Sequence, residues 1–245
     1  MLNRFSITAI ILMLIVIGVY ILQFYFNLKY QISEKPSDWV DFSNFFNGLV
    51  TPLLSFFSLV LLIQSLSIQN QTNTELRDEV RKNKKKELLQ SFEIYFFGLI
   101  EAQRNAFNNL KLSFSIQLDE QELSNVKLIQ ELEDSIEAKR AEGVSTENIR
   151  DFINTTDANE SIFNTTRIFY NVVRMITEKL TNENGFESLE RKNQFKTLIS
   201  FTEFSQLRLI MISMQFMDWE SAKYLKENDE FIEVLKDLGG GTDLY

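Results

Sequence analysis

Seven positions, Gly48, Thr51, Ser55, Ser58, Leu62, Ser65 and Gln69, succeed one another at intervals of 3, 4, 3, 4, 3 and 4. That is the period of one α-helix face. All but Leu62 are small or polar, yet the surrounding stretch from Phe45 to Ile63 carries no charge. The opposite side presents Phe46, Leu53, Phe57 and Val60. Small residues let helix backbones approach closely, and Ser and Thr hydroxyls hydrogen-bond across the seam. The row is therefore expected to face protein or water and not lipid. Its partner is either the other apolar segment of the same chain or a second copy, in the latter case with a water path along the seam. Pro52 lies within the row and removes one backbone donor, so a kink is expected there.

A second cluster is basic: Arg77, Arg81, Lys82, Lys84, Lys85 and Lys86. It reads as a topology signal on a solvated helix, as a contact for anionic lipid head groups, or as a phosphate strip for nucleic acid. Arg77 stands 14 positions past Ile63. At about 1.5 Å per residue the cluster lies roughly 20–30 Å along a straight helix, beyond the reach of the bilayer unless the helix bends. The chain has no histidine and no cysteine. That excludes thiolate nucleophiles, Cys/His zinc sites and imidazole acid–base chemistry. The carboxylates show no metal-ligand spacing, and there is no phosphate-cradling glycine loop and no Gly-x-Ser-x-Gly elbow. No enzyme, metal, cofactor or small-molecule substrate is expected. Gly239–Gly241 follow a helix and do not open one. The net charge of −9 arises after residue 63, since Arg4, Lys29 and Lys35 balance Glu34, Asp38 and Asp41. Such acidity argues against nonspecific duplex binding.

These residues must be positioned by helices. Phe5 to Phe26 is an uncharged apolar run of 22 residues, long enough to span a bilayer. A cleaved signal peptide is the competing reading; the length, the missing cleavage site and the aromatic belt of Tyr20, Phe24, Tyr25 and Phe26 favour a retained span. The short polar link 27–44 then leads to the second span, 45–63. The basic flank beyond it places both termini in the cytoplasm by the positive-inside bias. The expected architecture is an all-α membrane protein: a transmembrane hairpin over 1–65, a long connecting helix over 66–117, and a cytosolic helical domain over 118–245. Within the last, helices are expected over 118–143, from Ser145 or Thr146, and from an Asp157 N-cap with Glu160 three residues on. Phe163, Ile168, Phe169, Val172, Val173 and Ile176 should form core. Asn182–Gly185 reads as a turn, Leu189–Met217 as one helix, and Asp218 as the cap of a last helix ending before Gly239. The segment Phe204–Met217 is too apolar for a solvated helix, and Arg208 within it should pair with a carboxylate.

Three patches resemble the AbiC-type phage abortive infection proteins. The first is Gly48, Pro52 and Ser55 with Gln69 beyond; the second is Phe96, Phe97, Leu99 and Ile100; the third joins Arg167 and Tyr170 to Ser200 and Glu203. One departure concerns the second patch: where the family pattern continues with a His-Asn pair, this chain has Gln103 and Arg104. The layout is also similar to the two-transmembrane effectors of some retron anti-phage systems. The resemblance implies a bacterial inner-membrane effector that impairs or permeabilises the membrane when triggered. Its implied partners are the lipid bilayer, further copies of itself, and a retron's reverse transcriptase with its single-stranded DNA. The alternative is a membrane-anchored sensor or scaffold whose helical domain binds a defence partner without forming a pore.

Overall fold

The computed structural model describes residues 4–27, 33–114, 125–241 and 243–245. Among these residues every regular element is helical and there is no strand. In chain order they are α1 (Arg4–Ile21), a π-helical turn (Leu22–Asn27), α2 (Pro36–Asn108), α3 (Asn125–Ala141), α4 (Thr146–Thr156), α5 (Ser161–Lys179), α6 (Ser188–Phe201), α7 (Phe204–Phe216), α8 (Glu220–Glu227) and α9 (Asp229–Asp237). By proximity the chain divides into two compact units, Met1–Arg81 and Lys82–Tyr245, and α2 contributes to both.

In the first unit, Tyr20 stacks on Phe24 with ring centres 4.5 Å apart and meets Phe42 edge-on at 4.7 Å. Phe45 lies 5.4 Å from Tyr20. Leu12 and Met13 line a small apolar void together with Val50, Leu53, Leu54 and Phe57. Among the described residues of this unit little else is buried: Ile10, Ile11, Leu14, Ile15 and Val19 of α1, and Phe56, Leu59, Leu62, Ile63 and Leu66 of α2, are all exposed. One helix among the described residues, α2, is long and apolar enough to cross a membrane.

The second unit has two cores. Phe92, Phe96, Ile100, Gln103 and Phe107 follow one another at helical spacing on α2 and are buried. The first three enter a cluster with Phe169, Val172, Val173 and Ile176 of α5, Phe195 of α6, Ile210 of α7 and Phe231 of α9. Phe107 enters the other, with Ile129, Leu132 and Ile136 of α3, Ile149 and Ile153 of α4, and Leu209, Ile212 and Phe216 of α7. The amphipathic period thus decides which side of each helix turns inward. A bidentate bridge from Arg191 to Glu230, at 2.8 Å on both arms, clips α6 to α9, and Arg191 also donates to the Leu180 carbonyl at 3.0 Å.

Several sequence expectations hold. α4 begins at Thr146, with Ser145 accepting from the Asn148 N–H. Asn182–Gly185 is a turn closed by the Gly185 N–H on the Asn182 carbonyl, with φ +82° at Gly185. Arg208 pairs with Glu133 at 2.6 Å. Others are corrected. The long helix ends at Asn108, not near 117: Asn109 and Asn125 side-chain amides donate to the Asn105 and Phe107 carbonyls at 2.8 and 2.7 Å, and Leu110 turns into the core. Residues 118–124 of the next expected helix lie outside the described residues. Asp157 is not the N-cap of α5; that place belongs to Glu160, at φ 54°. The Asp157 carboxylate nevertheless accepts the Ile162 and Phe163 N–H groups at 2.9 and 3.1 Å, and burial pushes its pKa up against those bonds. Phe163 and Ile168 are only half-buried, and Ile162, Thr165 and Thr166 take the inward places. The helix expected over Leu189–Met217 breaks at Thr202 and Glu203, both extended, where the Gln103 amide donates to the Thr202 hydroxyl at 2.8 Å in the interior. The last helix is two, divided at Asn228, whose side chain caps α9 and donates to Thr177 at 3.1 Å. Asp218 pairs with Arg150 at 2.5 Å and Trp219 is the N-cap of α8.

Candidate functional site

The polar row on α2 is exposed along its whole length: Gly48, Thr51, Pro52, Ser55, Ser58, Ser65 and Gln69 all face away from the protein interior. Phe46, Val50, Leu53, Phe57 and Val60 form the covered side, and Val50 is 6% exposed. The α1 residues Leu12 and Met13 meet that covered side. The small residues are therefore not the surface on which α1 rests. The Ser55 hydroxyl donates to the Thr51 carbonyl of its own helix at 3.0 Å, a local bond that leaves the hydroxyl's acceptor capacity outward. A Cβ added at Gly48 would meet nothing within 4 Å. Pro52 stands inside a continuous α2 and withholds the N–H that the Gly48 carbonyl would otherwise accept. The face thus offers a notch at Gly48, a free carbonyl and a line of hydroxyls.

The basic run divides. Arg77, Arg81, Lys82, Lys84 and Lys86 are exposed on α2. Lys85 instead reaches Glu190 at 2.9 Å and lies over the Phe186 ring at 4.8 Å, so it docks α2 on the first turn of α6 and the loop before it. Glu190 is held below the usual carboxylate pKa, chiefly by that lysine. The four remaining positions singled out by the resemblance do not bond to one another. Arg167 donates to Asn164 and lies over Phe163. Tyr170 accepts from Arg174 and packs edge-on against Tyr224. Ser200 donates to the Lys196 carbonyl, and Glu203 is the exposed N-cap of α7. Among the described residues no cluster of carboxylates is placed to hold a metal ion.

Two polar arrangements escaped sequence reasoning. Gln103 is 1% exposed; its amide nitrogen meets Thr202 and its amide oxygen is buried without a partner. Its spacing from Ile100 and Phe107 put it on the inward stripe of α2, which is the signal that pointed to burial. In the second, Glu133 of α3 is shared by Arg208 of α7 and by the hydroxyl of Tyr245. Burial, and then the hydrogen bond to Glu133, raise the tyrosine's pKa. Nothing in the local sequence around Tyr245 announces this partner, 112 positions away. No protein-family model matches the chain, and no curated protein and no solved structure shows significant similarity to it.

Proposed function

We propose that the chain is an inner-membrane effector of anti-phage defence, assembling through the exposed face of α2 and permeabilising the bilayer when triggered. In this reading α1 with its π-helical turn and the Phe45–Ile63 part of α2 cross the bilayer as an antiparallel hairpin. Both ends of the chain are cytoplasmic. The order of contacts supports the hairpin: Tyr20 meets Phe42 and Phe45, whereas Leu12 and Met13 meet Val50 to Phe57. The bare apolar surface supports the membrane. In water each exposed Leu, Ile or Phe forgoes about 1.5–3 kcal/mol of burial, and so contiguous a surface calls for lipid or protein around it.

One observation carries the assembly: the Gly48/Thr51/Ser55/Ser58 face points away from the side that α1 covers. In lipid, such a face associates through close backbone approach and interhelical hydrogen bonds of about 0.6–2 kcal/mol each. A second copy of the chain satisfies it symmetrically. Defence rests on the AbiC-type resemblance of the second span, of the Phe96–Ile100 patch and of the Arg167/Tyr170 and Ser200/Glu203 patches; restraint by a retron's reverse transcriptase and single-stranded DNA rests only on the likeness of the two-span layout. The test is expression of Ser55→Leu and Ser58→Leu chains at matched membrane levels during phage challenge. Leucine keeps the span insertable, so insertion should persist while dye uptake and protection fall. Wild-type permeabilisation and survival in both variants would refute assembly through this face.

A second reading is favoured by the other unit. Ile94, Phe97, Phe201 and Phe204 are exposed, Phe204 by 71%, and the Phe97 and Phe201 rings meet edge-on at 6.1 Å. An anchored scaffold would use such a patch for a protein partner, and it is the reading favoured if protection occurs without dye uptake.

A further inference from the structure

After α9 the chain folds back on itself. Gly239 has φ +84°, and the Gly239 and Gly240 N–H groups close on the Lys236 and Leu235 carbonyls. The Gly241 N–H then points at the Met211 sulfur at 3.4 Å. Beyond it, one side chain of α7 holds the backbone of two residues. The Gln215 amide oxygen accepts the Leu244 and Tyr245 N–H groups at 3.0 and 3.3 Å, and its nitrogen donates to the Tyr245 carbonyl at 2.5 Å. The Tyr245 ring packs on the cluster that contains Ile129, Leu132 and Phe216. Its hydroxyl donates to one oxygen of Glu133 while Arg208 holds the other. The side chains of Asp243 and Leu244 remain exposed.

This is how an extended peptide is recognised: backbone groups give attachment and one side-chain pocket gives selectivity. The helices do not need the segment in order to pack, since α3 and α7 meet through Ile129, Leu132, Leu209 and Ile212. Three successive glycines, Gly239–Gly241, lie in the short connection between α9 and the segment, and glycine linkages reorient at little steric cost. We propose that the groove between α3 and α7 is a peptide-recognition site for the Asp243–Tyr245 segment, exchangeable between the chain's own segment and that of a second copy. Exchange uses the same bonds in both arrangements, so the two differ mainly in effective concentration. The self-tethered form prevails in dilute chain, and the exchanged form links copies where they are crowded. The exchange does not depend on the chain being a membrane effector.

The first arm uses the full chain carrying Tyr245→Ala, in detergent, with a labelled synthetic peptide of residues 239–245 as the probe. Saturable binding is expected, at least tenfold weaker to the wild-type chain, whose own segment competes. Adding Gln215→Ala should abolish it. A peptide ending in Phe should bind about tenfold more weakly, for want of the bond to a charged acceptor. A Tyr245→Ala chain that keeps its helical circular dichroism and fails to bind, or that binds equally well with Gln215→Ala, overturns the proposal. The second arm mixes two full chains in detergent: one with Gln215→Ala, which keeps the segment and loses the groove, and one with Tyr245→Ala, which keeps the groove and loses the tyrosine. Co-purification of the mixed pair that rises with protein concentration, and exceeds that of two Gln215→Ala chains, supports exchange; association of the mixed pair no greater than that of two Gln215→Ala chains at every concentration overturns it.

Discussion

The Arg208–Glu133 pair tests whether one ionic contact holds α3 on α7. The Glu133 side chain is 7% exposed and that of Arg208 24%, and their closest atoms are 2.6 Å apart. The guanidinium also lies over the Phe204 ring at 5.3 Å, and its Nε is buried without a partner. Replacing Arg208 by Met keeps the apolar stem and removes the charge. It strands a carboxylate in the interior with only the Tyr245 hydroxyl for company. Breaking a buried pair in this way costs about 3–5 kcal/mol; the partial exposure of Arg208 sets the expectation at the lower end, about 3 kcal/mol. For a unit of this size that is a fall in melting temperature of about 6–12 °C. Removing both charges, with Glu133→Leu added, should return stability to within about 1 kcal/mol of the parent, because no unpaired ion remains. The coupling across the double-mutant cycle is then at least about 2 kcal/mol, larger by whatever Glu133→Leu costs alone. Thermal unfolding of the full chain in detergent, followed by circular dichroism and by hydrogen exchange at α3 amides, measures it. A double variant as unstable as Arg208→Met alone would refute the reasoning, since the loss would then come from packing and not from an abandoned charge.

Acid should loosen the second unit at its clips. Glu230 is held below its ordinary 4.5, first by the Arg191 hydrogen bond, and Glu190 likewise by Lys85. A depressed carboxylate stabilises the fold fully above its unfolded value and loses that contribution as pH falls through the lower folded value. Melting temperature should therefore drop on acidification below about 4.5, and Glu230→Gln should flatten that part of the profile; an unchanged profile would remove the clip from the account. At Gly240 a Cβ would come 2.6 Å from Leu235 Cδ1 and 3.1 Å from the Leu235 carbonyl oxygen, and Leu235 is buried. Gly240→Ala should cost about 1–3 kcal/mol by overpacking, read in the same melts, whereas Gly143→Ala meets no neighbour and suffers only from its φ of +77°.

Much of the helical content was legible because it follows from local rules. The spacing of Phe169, Val172, Val173 and Ile176 selects one face of α5, and the hydroxyl of Ser145 starts α4, with no reference to the rest of the chain. The apolar runs, and the small-residue row on α2, are likewise properties of order along one helix. What a helix face meets is not. The row on α2 looked equally suited to α1 or to another chain, and only packing showed Val50, Leu53 and Phe57 on the α1 side. The long helix could have run on, but burial of Leu110 and the amides of Asn109 and Asn125 ended it at Asn108. Leu189–Met217 carries no proline or glycine, so nothing local divides it. Gln103, on another helix, supplies the bond at Thr202 where it breaks. Arg208 plainly required a carboxylate, yet Glu133 was one acid among many. Propensity and periodicity act between neighbours in sequence. Choosing a partner across 75 residues, as Arg208 does, depends on which cores the helices fill, and that is decided only when they pack together.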